Sequence, residues 1–295
     1  MTILQAIILG IVQGLTEFIP ISSTAHLVFA ARLIGLYNGV DAALRAEQTT
    51  ATIAVIQLGT LLAVLVYFAR DIINITRAFV RDHIALLGGK RRVNGGVQFS
   101  PEAWLGWLVI LGSIPVAVVG LLFKHQIEGT FTKNLWVIAT MMIVVAVLLS
   151  LAEMVGKRER SMEQLGLGDA LAVGCAQVLA LIPGSSRSGS TIMGGLFAGL
   201  TRETAARFSF LLSMPAIAAS GVLELKEAMH KLPAGTRLPL IVATIVSGVV
   251  GYASIWFLLR FLRTHSTGVF IVYRLLVGSV ILFALFGGYM SASAG

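Results

Sequence analysis

The sequence predicts an all-α polytopic membrane protein built from two inverted-topology repeats, with six spanning helices and two pairs of re-entrant half-helices. Three observations carry that prediction. Of the 295 residues 57% are hydrophobic and 12% charged, about half the ~25% charge of a soluble domain, and the mean hydropathy is +0.89. Six apolar runs reach the roughly 20 residues that cross a bilayer as helix. A short Pro-x-Ser-Ser signal also occurs twice, each time between two apolar segments that are short or interrupted. A closed barrel would instead show alternating segments of about ten residues.

The elements follow in order. The run 2–19 reads as a helix and not as a cleaved signal, because no Lys or Arg precedes Arg32 and because Gln13 and Glu17 interrupt it. Pro20 ends it, and 24–36 begins a second, shorter segment. Runs 50–69, 103–123 and 134–152 are long enough to span. The pattern then repeats, with 168–182 and 189–200 short and 204–224, 238–259 and 269–289 long. Segments 24–36 and 189–200 cannot comfortably cross ~30 Å of hydrocarbon. They fit re-entrant half-helices, whose irregular backbone is tolerated only inside protein or beside a wet cavity.

The repeat is also visible in the residues. Ile19-Pro20-Ile21-Ser22-Ser23 recurs 163 positions later as Ile182-Pro183-Gly184-Ser185-Ser186. Such a tetrapeptide is also an ordinary helix-breaking turn with a cap. The shared order of flanking elements favours a duplication within one membrane domain, with repeats near 1–152 and 168–295. Three spans per copy is an odd number, so the second copy enters the membrane upside down. Inverted repeats of this kind place a site near the midplane, where broken helices meet.

Loop charge gives a side. Segment 70–102, read as a loop, carries Arg70, Arg77, Arg81, Lys90, Arg91 and Arg92. Loops 153–167 and 260–268 and the region of Arg202 and Arg207 fall on the same face. The other face holds fewer charges: Arg32, Arg45, Lys124, Lys133, Lys226, Lys231 and Arg237. The positive-inside rule puts 70–102 in the cytoplasm and both termini outside. The net charge of +8 therefore reflects topology and anionic lipid. No basic domain exists to carry a nucleic-acid footprint. Cys175 is the only cysteine, which excludes an internal disulfide and a cysteine-based metal cage; it is expected in the core.

The chemistry gathers at the two breaks. Gln13 and Glu17 are four apart and project from one helix face. Ser22, Ser23 or Thr24 can cap the next helix, and His26 lies in its first turn. A helix N-terminus also offers unpaired N–H groups and a positive dipole end, which suit phosphate. In the second copy Gly184 and Gly189 are expected to let backbone approach a ligand. Ser185, Ser186, Ser188, Ser190 and Thr191 supply hydroxyls, and Arg187 supplies a planar fork for phosphate oxygens. Inversion would bring the Glu17/His26 tip and the Arg187 tip into one pocket. Plainer roles exist for each residue: Glu17 and Arg187 as a structural ion pair, the hydroxyls as caps, and His26 as a satisfied hydrogen-bonding residue. Gln13 is equally suited to metal contact or to an interhelical hydrogen bond. Gln57 and Arg274, inside long spans, are candidate supporting groups. Gly195 and Gly199 form a GxxxG suited to close helix packing.

Gln13–Leu27 (QGLTEFIPISSTAHL) and Pro183–Ile192 (PGSSRSGSTI) resemble the two signature motifs of the undecaprenyl-diphosphate phosphatases of the bacitracin-resistance type. The resemblance covers essentially the whole chain. It implies removal of the terminal phosphate from undecaprenyl diphosphate, giving the monophosphate carrier reused in peptidoglycan synthesis, and dependence on a divalent cation, Mg²⁺ or Ca²⁺. By resemblance Glu17, Ser23, His26 and Arg187 are catalytic. Ser22, Thr24, Ser185, Ser186 and Ser188 bind phosphate, and Gln13 with Glu17 holds the metal. Many members carry Glu where this chain has Gln13, which shifts the metal burden to Glu17; Ala25 stands where glycine is frequent. The expected mechanism has Ser23 attack phosphorus after losing its proton to His26, with direct attack by water as the alternative. The site is expected in the bacterial inner membrane, opening toward the periplasm. The rival reading is a phosphate-lipid flippase or secondary transporter, since broken-helix inverted repeats are transporter architecture.

Overall fold

The computed structural model describes residues 1–88, 92–93, 96–97, 99–123, 134–232 and 235–292. Lys90, Arg91, Lys124 and Lys133 lie outside the described residues, as do the side chains of Arg92, Lys226 and Lys231.

The described residues are largely helical. Helix α1, Ile3–Phe18, starts on a reciprocal cap between Thr2 and Gln5 and ends at the extended Ile19, before Pro20. Then follow α2 (Ser23–Leu33), α3 (Ala42–Tyr67) and α4 (Ala69–Leu87). A two-stranded antiparallel hairpin, β1 (Arg92–Val93) with β2 (Gly96–Val97), leads to α5 (Pro101–Leu122), which begins on a proline. Helix α6 (Leu135–Val155) is capped by the Asn134 side chain. The second half comprises α7 (Leu167–Val178) with a 3₁₀ turn at Leu179–Leu181, then α8 (Arg187–Phe197), α9 (Arg202–Lys231), α10 (Arg237–Leu262) and α11 (Gly268–Phe286).

Among the described residues five helices are long and apolar enough to cross a bilayer: Glu47–Tyr67 within α3, and α5, α6, α10 and α11. The sixth expected span, 204–224, falls inside α9, where the side chains of 219–220 and 222–231 are not described. On α10, Leu238, Ile241, Ile245, Val249 and Trp256 are all more than half exposed. Water would penalise an apolar face of that extent, and lipid would not. This is an integral membrane protein.

Glycine sets the closest helix contacts, as expected where lipid removes any hydrophobic drive and packing must hold helices together. A Cβ on Gly14 of α1 would sit 2.8 Å from the Ser247 carbonyl of α10. One on Gly174 of α7 would sit 2.1 Å from the Gly112 carbonyl of α5. Helix α6 lies along α11, and α3 along α9.

Three expectations change. Segment 70–102 is not a loop: it holds α4, whose Ile75 and Phe79 pack at Gly106 of α5 while Ile73, Val80, Ile84 and Leu87 are exposed. Asp82 of α4 is buried and accepts from both the amide (2.7 Å) and the hydroxyl (2.6 Å) of Ser100, fixing the start of α5. Cys175 is exposed, not in the core. The inward position that needed a small residue is its neighbour Gly174. The GxxxG divides its duties. Gly195 approaches Ala205, whereas Gly199 has φ +83 and terminates α8.

Candidate active site

The short helices α1 and α2 are joined by a turn at Ile19–Ser22, and α7 and α8 by one at Ile182–Ser186. In both turns the residue just before the second helix is a serine with positive φ, 77° at Ser22 and 67° at Ser186. Non-glycine residues in such regions cost of order 1–3 kcal/mol and concentrate at functional sites. The structural match pairs Ser22 with Ser186, one step beyond the match by proline. Gly184, φ +93, is the extra residue. A Cβ there would lie 2.2 Å from the Ile138 carbonyl, so Gly184 lets the tip approach α6, and it also borders the cavity that Ser23 and Arg187 line. Gly189 likewise faces protein: a Cβ would lie 3.2 Å from that of Ser186. With this register Ser23 and Arg187 occupy equivalent first-helical positions.

Both side chains end on Glu17. The Arg187 guanidinium donates through Nη2 to Glu17 Oε1. The Ser23 hydroxyl donates to Oε2 at 2.8 Å, and Gln13 Nε2 donates to the same oxygen at 3.1 Å. Gln13 Nε2 also meets Thr60 Oγ1 of α3 at 3.3 Å. Glu17 is 8% exposed, and a carboxylate so far from water needs such donors to offset its lost hydration.

Arg274 of α11, wholly buried, holds both tips from beneath. It donates to the carbonyls of Pro20 (3.3 Å), Gly184 (3.0 Å) and Ser185 (3.1 Å), and to those of Met141 and Met142 in α6. Sequence reasoning marked it only as a supporting candidate; here one side chain ties the two breaks to a spanning pair.

His26 is placed differently from expectation. Its Nδ1 lies 2.7 Å from the Ser22 carbonyl, which can only accept, so Nδ1 carries a proton. Its Nε2 meets the Tyr273 hydroxyl at 2.6 Å, and the two rings stack. Neither nitrogen faces Ser23, whose partner is Glu17. Ser188 is buried and meets the Ser186 hydroxyl at 3.2 Å, and Ser186 Oγ caps α8 through the Gly189 amide. Ser185 is fully buried, its hydroxyl without a hydrogen-bond partner among the described residues.

A cavity of about 280 Å³ opens over this hub. Gln13, Glu17, Ser22, Ser23, Thr24, Ser186 and Arg187 line it; His26, Ser185 and Ser188 do not. Ile53 of α3, Val116 of α5 and Ala216 of α9 form its apolar wall. Two of those residues directly follow in-helix prolines, Pro115 and Pro215. Gln57, expected as a supporting group, lines it too. Tyr273, Thr60 and Gln177 were missed from sequence. Tyr273 and Thr60 look like ordinary span residues, whereas Gln177, an amide in an apolar run, carried a signal.

The model of the bacitracin resistance protein BacA family matches residues 6–280. This chain belongs to that family. Its relatives include an undecaprenyl-diphosphatase of Syntrophobacter fumaroxidans, 52% identical over 97% of this chain and 98% of the relative. Undecaprenyl-diphosphatases of Prosthecochloris aestuarii (46% identical) and Mycolicibacterium gilvum (45%) each align over 99% of this chain and their own full length.

The cation that the BacA-type motifs imply can be tested against the donors present. Among the described residues no three His, Cys, Asp or Glu side chains cluster. The cavity does offer the Glu17 carboxylate, together with Gln13 Oε1 and Ser22 Oγ, both buried and without partners among the described residues. One carboxylate with neutral oxygens suits a hard cation that completes its shell with phosphate oxygens and water. The donor set fits.

Proposed function

We propose that this protein is a membrane-embedded phosphatase that hydrolyses undecaprenyl diphosphate to undecaprenyl phosphate and inorganic phosphate, recycling the carrier for cell-wall synthesis. The observation that carries this reading is the Glu17 carboxylate bonded at once to Ser23 of one tip and Arg187 of the other, inside a cavity with an apolar wall. The names of relatives matched over nearly their whole length point the same way.

In the mechanism, Arg187 turns its fork from Glu17 to the terminal phosphate, where two parallel N–H bonds fit the oxygens. Glu17 takes the Ser23 proton along the existing 2.8 Å hydrogen bond. Ser23 Oγ bonds to the terminal phosphorus as the bridging P–O bond breaks, and undecaprenyl phosphate leaves with the bridging oxygen. Water then cleaves the phosphoserine. Proton transfer to His26, the route expected from sequence, requires the ring to leave its Ser22 and Tyr273 partners; transfer to Glu17 requires no movement. His26 instead steadies the turn through the Ser22 carbonyl. Ser22, Thr24 and Ser186 line the phosphate pocket, with Ser185 and Ser188 behind it. A Mg²⁺ or Ca²⁺ ion held by Glu17, Gln13 and phosphate oxygens would offset the charge of the diphosphate.

The architecture in this reading is two inverted repeats, near 1–152 and 168–295, with six spans. Exchanging the halves maps the packing of α1 on α10 onto that of α7 on α5, and α6–α11 and α3–α9 onto themselves, which supports it. The cavity opens sideways for the isoprenoid and toward the periplasm, in the inner membrane. Phosphate release from undecaprenyl diphosphate by the purified protein in detergent, where no compartments exist, tests the function. Turnover that stops with chelator and returns with Mg²⁺ or Ca²⁺ is the expected result; lipid binding without phosphate release would make the protein a carrier.

A further inference from the structure

Gln177 of α7 is 1% exposed, lines the cavity, and has neither Nε2 nor Oε1 hydrogen-bonded among the described residues. Burying an amide unpaired costs stability, so native structures satisfy such groups with protein, water or ligand. The register that equates Ser22 with Ser186 also equates Gln13 with Gln177. The two glutamines differ in their neighbours. Gln13 spends its Nε2 on Glu17 and Thr60. The position equivalent to Glu17 in the second half is Leu181, which cannot accept a hydrogen bond. The second amide thus lies unpaired, among the described residues, in the lining of a cavity that already gathers a guanidinium and hydroxyls.

We propose that Gln177 is a substrate-contact residue, donating Nε2–H to an oxygen of the phosphate that stays on the lipid. The proposal rests on the phosphatase reading above. The attacked phosphorus must lie within reach of Ser23 Oγ, inside the hydrogen-bond network of Glu17. Gln177 takes no part in that network, which leaves it the second phosphoryl group of the diphosphate. Being neutral, it binds without adding charge to a pocket that must also release an anionic product.

The test is steady-state hydrolysis by wild type and by Gln177→Met, a nearly isosteric apolar change. We expect KM for undecaprenyl diphosphate to rise at least tenfold with kcat within about threefold. Inhibition by undecaprenyl phosphate should weaken in step, while inhibition by inorganic phosphate stays unchanged, because only the former carries the retained phosphate. Thermal stability of the ligand-free variant should be equal or higher, since an unpaired amide is gone. Unchanged KM and unchanged lipid-product inhibition would overturn the assignment with the phosphatase reading intact. A wild type that releases no phosphate would overturn that reading itself and this inference with it. Should Gln177→Met fail to fold, Gln177→Asn retains the amide but shortens its reach: a raised KM supports the contact, and a wild-type KM removes it.

Discussion

The helix after the first break begins with Ser23 and the helix after the second with Arg187, yet both side chains end on Glu17. The serines that precede them adopt φ values only 10° apart, 77° and 67°. The turn backbone is therefore alike at the two tips while the side chains differ: a hydroxyl and its carboxylate on one side, a guanidinium on the other. The same division appears ten residues before Ser23 and Arg187, where Gln13 has a carboxylate neighbour and Gln177 does not. Two turns of like backbone thus start their helices with different side chains, and those side chains meet on one carboxylate.

Substitutions at the tips can break or sharpen that contrast. The largest effect is expected at Glu17, the group both tips share. Glu17→Gln keeps the shape and loses the charge, and phosphate release should fall on the order of 10⁴-fold, the upper range for a positioned base. A loss below tenfold, ~1.4 kcal/mol of barrier, would deny Glu17 its central place. Ser23→Ala should cost about 10³-fold, and the double variant should be no worse than Glu17→Gln alone, because groups that act as a unit are not additive. Rapid quenching of wild type should trap phosphate on Ser23; substantial turnover by Ser23→Ala would favour direct attack by water. On the second tip, Arg187→Lys should lose about 10²-fold, as when one donor to developing charge is removed, and be nearly as damaging as Arg187→Ala. Near-normal turnover of the Lys variant would reduce the fork to a point charge. The smallest effect belongs to Gln13→Glu, expected within about threefold of wild type and with tighter metal binding, since a carboxylate there adds a hard ligand.

Much of this was legible in the sequence, for identifiable reasons. Long and short apolar runs report span length directly, and a carboxylate and a guanidinium in short segments need each other in lipid. Inversion of the repeats was expected to bring the Glu17 and Arg187 tips into one pocket, and their direct pairing stood as the plainer reading of both residues. Other contacts depend on orientation, which spacing does not encode. Ser23 and His26 are three apart and were expected to pair, but the first helical turn aims Ser23 at Glu17 and folds His26 back onto the Ser22 carbonyl. Tyr273 reaches His26 from 247 positions away, and no local pattern announces it. Helix α4 was hidden by its charges: Arg70, Asp71, Arg77, Arg81 and Asp82 read as a loop, although Ile72, Ile75 and Phe79 kept helical spacing. Cys175 was placed inside on residue type alone, and the helix turned its neighbour inward instead.

The central claim is that the two tips form one site, and proximity tests it most directly. In a Cys175→Ser background, Ser23→Cys with Arg187→Cys places thiols at the two positions that share the Glu17 carboxylate. In membranes, a short bifunctional thiol reagent should join them within one chain, and a single-cysteine control should give no such product. Absence of the crosslink, with Ser23→Cys labelled by an impermeant reagent only from one side of the membrane and Arg187→Cys only from the other, would contradict the shared site.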